Sequence, residues 1–178
     1  MRHRTKTARV TLAPLSPHPV TRAPLMTRHD ATSDAWTLEV ITLSGEVVVD
    51  VAHLHPDEIY QVGSHRGAHS YISAESVPLD PFPLAVMGSR GDVIVNIPNG
   101  ALSSAQGAVS DGDTHTPLQT LRDTGALTAS DAPSSRALRL PLTARCALTL
   151  GDLTFLIRAT PRPRPPAAPS SPCLTHSS

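Results

Sequence analysis

An all-β fold, an antiparallel β-sandwich, is what this 178-residue sequence predicts. Three observations point there. Short runs rich in β-branched residues alternate with period two, turn signals separate them roughly every 8–12 residues, and no helical pattern of about 10–15 residues intervenes as a parallel βαβ fold would need.

The runs can be taken in order. Trp36–Leu43 places Trp36, Leu38 and Val40 on one face, Ser44-Gly45 signals a turn, and Glu46–Leu54 returns as the second arm of a hairpin. After His55-Pro56-Asp57 comes Glu58–Val62. Pro83–Met87 and Val93–Ile97 flank the turn Gly88-Ser89-Arg90-Gly91, and a short Gly107–Val109 ends near Asp111-Gly112. Ala137–Leu142, Ala144–Leu150 and Leu153–Ile157 complete the set, with Gly151-Asp152 as a two-residue hairpin connection between the last two. Pro141 within its run implies an edge or a bulge, because proline cannot donate to a ladder. Only Thr116–Arg122 reads as two helical turns, with Leu118 and Leu121 three apart before Gly125.

Charge divides the chain into three. Residues 1–35 carry six basic and two acidic residues and four prolines; residues 158–178 carry three arginines, no acid and six prolines. The middle, 36–157, carries six basic and thirteen acidic residues, a net charge of −7 inside a chain whose total is zero. The expected organisation is a basic arm over 1–35, a sandwich over 36–160 and a Pro-rich tail over 161–178. Both ends are expected to be disordered, since they bury too little apolar surface to offset ordering entropy. Val10–Thr21, the longest uncharged stretch of the arm, is broken by three prolines and His18, so it does not read as a secretory signal. No run of 18 apolar residues occurs.

Ile59-Tyr60-Gln61-Val62-Gly63-Ser64-His65, an extended run ending in Val-Gly before a polar loop, resembles the start of a forkhead-associated (FHA) domain. A Trp-led opening strand, the hairpin after it and a closing Leu150–Ile157 extend the resemblance over about residues 36–160. It looks like the degenerate form at the front of some bacterial gliding-motility and TonB-type envelope proteins. Membership would imply a sandwich that binds proteins. The FHA family recognises phosphothreonine partly through an arginine after the glycine and a later Ser-x-x-His. Here Ser64 follows Gly63, Arg66 lies two further on, and no Ser-x-x-His follows Tyr71. Phosphothreonine binding is therefore not expected. Gly63, Ser64, His65, Arg66 and Gly67 remain the candidate partner-binding residues, of which Gly63, Ser64, Arg66 and Gly67 offer at most a weak anion site.

Other chemistry is thinner. His53 and His55, with His65 and His69 nearby, form the alternative reading, a small metal-binding or enzymatic β-barrel; a metal site needs three or four converging ligands, and no dedicated third ligand stands beside His53-x-His55. No nucleophile elbow, P-loop or dinucleotide fingerprint occurs, so neither a catalytic residue nor a cofactor is expected. The acidic middle lacks aromatics interleaved with basic residues, which disfavours nucleic acid as the partner. Two cysteines, Cys146 and Cys173, make no disulfide framework; the usage is compatible with a reducing, cytoplasmic setting. The reading is a non-catalytic protein-interaction module. Its core is expected to bury Trp36, Leu38, Val40, Val62, Leu148, Leu150, Phe155 and Ile157 together.

Overall fold

The computed structural model describes residues 35–88, 91–103 and 106–162. Residues 1–34 and 163–178, with Cys173, and Ser89 and Arg90 of the turn lie outside these. Twelve strands are present among the described residues: β1 (Trp36–Ser44), β2 (Val47–Leu54), β3 (Ile59–Gly63), β4 (Ser70–Tyr71), β5 (Phe82–Met87), β6 (Val93–Pro98), β7 (Gly107–Asp111), β8 (Thr114–Pro117), β9 (Thr128–Ala129), β10 (Ser135–Leu140), β11 (Arg145–Leu150) and β12 (Leu153–Pro161). Two short helices, α1 (Asn99–Ser103) and α2 (Leu118–Asp123), follow β6 and β8. The strands form two six-stranded sheets, ordered β2-β1-β12-β11-β7-β8 and β4-β3-β5-β6-β10-β9. All pairings are antiparallel except β3 with β4. The expected sandwich is what the chain forms.

Alternation explains the core. In the first sheet Leu38, Val40, Cys146, Leu148, Leu150, Phe155 and Ile157 are buried; in the second, Tyr60, Val62, Phe82, Met87, Val95, Ile97, Leu138 and Leu140 are. All belong to one cluster, so seven of the eight expected core residues are buried together. Trp36 departs from the expectation: it is half-buried, packed on the rim of the cluster at the end of β1. Tyr60 and Phe155 join the sheets edge to face, with ring centroids 6.2 Å apart. Two buried oxygens meet the Tyr60 hydroxyl, Ser70 Oγ at 2.6 Å and Thr42 Oγ1 at 2.9 Å, and these two lie 3.2 Å from each other.

Several boundaries differ from the sequence reading for local reasons. Pro141 is not inside a strand; β10 ends at Leu140, and Pro141 opens a turn closed by the Ala144 N–H on the Pro141 carbonyl at 2.9 Å. The sandwich also runs past residue 160, because β12 continues to Pro161 and Arg162 N–H donates to Ala35 C=O at 2.8 Å. Successive residues of an antiparallel strand turn their N–H groups to opposite sides. Since Arg162 faces β1, Pro161 faces the side where β11 has already ended at Arg145, and its missing donor costs the ladder nothing there.

Two substitutions test this core. Phe155→Ala should cost about 3–5 kcal/mol, against about 5–15 kcal/mol for a whole domain, and should shift the denaturant midpoint steeply, whereas Gln119→Ala on the exposed face of α2 should stay within about 0.5 kcal/mol. An unmoved midpoint for Phe155→Ala would refute the shared core. At Tyr60, burial raises the phenol pKa above its ordinary value of 10.0. A group raised on folding gives stability that is complete below its unfolded pKa and is lost as pH rises through the folded one. Stability should therefore fall above about pH 10, with Tyr60 phenolate absorbance appearing at higher pH in the folded chain than in the unfolded one. Tyr60→Phe should remove that alkaline component and cost about 1 kcal/mol at neutral pH.

Candidate functional site

The loop singled out by the sequence joins β3 to β4. β3 ends at Gly63, and the chain turns through Ser64–His69 before Ser70 and Tyr71 return beside Val62 and Gly63. Gly63 is required here. Its φ is +155°, and a Cβ at this position would collide with Asp80 Oδ1 and stand 3.2 Å from Pro81 Cα.

Asp80 organises the first half of the loop. The Ser64 N–H donates to Asp80 Oδ1 at 2.9 Å, and the Ser64 hydroxyl bonds Asp80 Oδ2. These bonds from Ser64, with that of the His65 amide, hold the Asp80 carboxyl below the usual carboxylate range. The Ser64 and His65 amides thus already serve a carboxylate of the chain itself, whereas the expected weak anion site comprises Gly63, Ser64, Arg66 and Gly67. The second half is fixed from within: His65 Nδ1 accepts from Gly67 N–H at 3.0 Å, His65 C=O from Ala68 N–H at 3.0 Å, and Gln61 C=O from His69 N–H at 2.8 Å. His69 Nδ1 accepts from Gln61 N–H at 3.1 Å while its ring stacks on Tyr60, centroids 4.8 Å apart. Arg66 is exposed and makes no ion pair among the described residues. Tyr71, at the loop's end, is 74% exposed.

The structure brings Gly63, Ser64, His65, Arg66 and Gly67 together as one ordered loop. It does not bring the four histidines together. His53 Nε2 lies 3.0 Å from Glu39 Oε2, His55 meets the Arg162 guanidinium, and His65 and His69 serve backbone amides. Among the described residues no three His, Cys, Asp or Glu side chains converge as a metal cluster. Cys146 is a free, fully buried thiol, its pKa pushed up to about 12 by desolvation, and so behaves as the apolar strand residue expected.

Sequence reasoning missed Asp80 and Tyr71. Asp80 stands 16 residues from Ser64 with no spacing to betray it. Tyr71 belongs to a two-residue strand too short to register as one. An open groove of about 480 Å³ also lies on the outer face of the second sheet, floored by Pro83, Val86, Ile94 and Ala137; it takes in none of the loop. No family model, curated protein or solved structure matches the chain. No helix among the described residues is long and apolar enough to cross a membrane.

Two variants check the loop. Gly63→Ala should destabilise by about 1–3 kcal/mol, the scale of a strained backbone position. Asp80→Ala, which removes both acceptor oxygens, should free the Ser64 and His65 amides, read as faster hydrogen exchange there. For Asp80, whose pKa is depressed on folding, the contribution exists above the unfolded value and is lost as pH falls through the folded one. The Ser64 amide shift should therefore titrate below pH 3.8; a midpoint at or above it would contradict the arrangement.

Proposed function

We propose that this chain is a non-catalytic protein-interaction module, FHA-like in kind but without phosphothreonine recognition, that acts in the cytoplasm and contacts a partner protein through the β3–β4 loop. The carrying observation is a preorganised loop presenting an arginine and a tyrosine. Internal hydrogen bonds fix the backbone of residues 63–70, while Arg66 makes no ion pair among the described residues and Tyr71 is exposed. Arginine and tyrosine are enriched where interfaces concentrate their energy, and a loop already ordered loses little entropy on docking. The engagement of Ser64 by Asp80 supports the absence of phosphate recognition: a phosphate at Ser64 would have to displace or repel the Asp80 carboxylate. The sandwich fold, and a Val-Gly that ends its strand at a polar loop, support the FHA-like part of the reading.

The test is a peptide-display selection against the full chain. Selected binders should lose at least tenfold in affinity, about 1.4 kcal/mol, on Arg66→Ala and on Tyr71→Ala, with far-UV circular dichroism unchanged. Phosphorylating a threonine in them should bring no gain. Affinity insensitive to both substitutions would move the site elsewhere, and a strong gain from phosphothreonine would overturn the phosphate-free part.

A further inference from the structure

The four sheet edges are not alike. β4 and β9 have two residues each, and β8 has four and closes on Pro117. β2 has eight, and it carries Val47, Val48, Val49 and Val51 at 65%, 55%, 54% and 45% exposure. A long edge strand with exposed apolar side chains is a template for another strand.

The ladder identifies which backbone groups have no strand partner among the described residues. Ala35 and Arg162 form a hydrogen-bonded pair, so alternation turns the odd-numbered residues of β1 to β12 and the even-numbered ones to β2. Asp50, Ala52 and Leu54, opposite Thr42, Val40 and Leu38, therefore bond to β1. Val51 and His53 direct their N–H and C=O groups to the open side. A bulge leaves Val49 without a partner on β1, and beyond it Val48 stands opposite Leu43. Val48 and Val51 consequently share the outer face with Leu43 and Ile41, while Asp50 lies on the opposite face, that of Thr42.

Charge specifies the occupant. β2 and the turn before it hold Glu46 and Asp50 with no lysine or arginine, and neither acid is in an ion pair among the described residues; Asp57 and Glu58 follow the strand. Resting on the reading of the chain as a protein-interaction module, we infer that the free edge of β2 accepts an extended segment of a partner protein in which apolar residues alternate with lysine or arginine. Its apolar side chains lie beside Val48 and Val51, its basic ones beside Asp50, and its backbone pairs with Val51 and His53. The site lies on the same flank as the β3–β4 loop, because Thr42 beside Asp50 touches Ser70 of β4.

The probe is a labelled eight-residue peptide of alternating valine and lysine, titrated by fluorescence anisotropy into the full chain. Saturable binding is expected, at least tenfold weaker for the valine–glutamate counterpart. Val51→Pro removes an outward N–H without touching the β1 ladder and should weaken binding at least tenfold; if it fails to fold by circular dichroism, Val51→Lys, which keeps the N–H and repels a basic segment, decides instead. No saturable binding to the parent, or equal affinity in the folded Val51 variant, overturns the proposal. So does a parent dimer that the Val51 variant converts to monomer, or strong hydrogen-exchange protection of the Val51 amide in the free chain, since the edge would then already be covered. The loop is tested with other peptides and other variants, so the two readings can fail separately.

Discussion

The buried hydroxyl cluster of Thr42, Tyr60 and Ser70 is the constraint on which the rest of this sandwich turns. It sits where the sheets meet, with Thr42 from β1 on one side and Tyr60 and Ser70 from β3 and β4 on the other. Any of these oxygens left unpaired in the core would carry a desolvation cost of about 1–3 kcal/mol, so the three tolerate burial only as a set. Satisfying the Tyr60 hydroxyl fixes Ser70, and Ser70 ends the candidate loop. Stacking His69 on the Tyr60 ring fixes the preceding residue. The far edge of the same ring meets Phe155, which joins the loop to the middle of the first sheet. The end of the loop is thus set from the core outwards, while Asp80 holds its first half and His65 its middle.

Strands with full alternation and a turn at each end were legible, because a face buried in a sandwich must repeat every second residue. β1, β5, β6, β10, β11 and β12 all stand within a few residues of their expected runs. What escaped was short or polar. β4 and β9 are two residues long, and β8 reads Thr-His-Thr-Pro; each exists because a neighbouring strand offers a ladder, and nothing in its own pattern demands it. α1 begins at Asn99-Gly100, two residue types common in turns, so its sequence carries no helical signal. Trp36 shows the opposite failure: alternation gave its face correctly, but its place at the strand end leaves it on the rim, which a periodic pattern cannot express.

The candidate site was half legible for a related reason. A glycine before a polar loop announces a backbone constraint, and Gly63 has one. The atom that imposes it, on Asp80, arrives from the segment leading into β5, and pairings across that separation have no signature in a single sequence. The histidines illustrate the converse. His53 and His55 look like a first pair of ligands in sequence. Yet His53 is on β2 opposite Glu39, in a cross-strand set with Arg158, while His55 lies beyond the strand against Arg162. Neighbours in sequence became neighbours of different side chains in space, which is the usual fate of a short polar motif at a strand end.

Leaving one long edge open creates a hazard that charge can turn into selectivity. Valine-rich edges invite any strand, including that of a second copy, and folded proteins restrain them with bulges and charged side chains. β2 and the turn before it carry both, the bulge at Val49 and the acids Asp50 and Glu46. Pairing two β2 strands would gather four carboxylates on one ribbon with no lysine or arginine from either strand to offset them, and like charges across a ladder destabilise it. The devices that discourage self-association therefore leave the edge open to a basic segment. Discrimination of this kind rests as much on the strand that is repelled as on the one that is held.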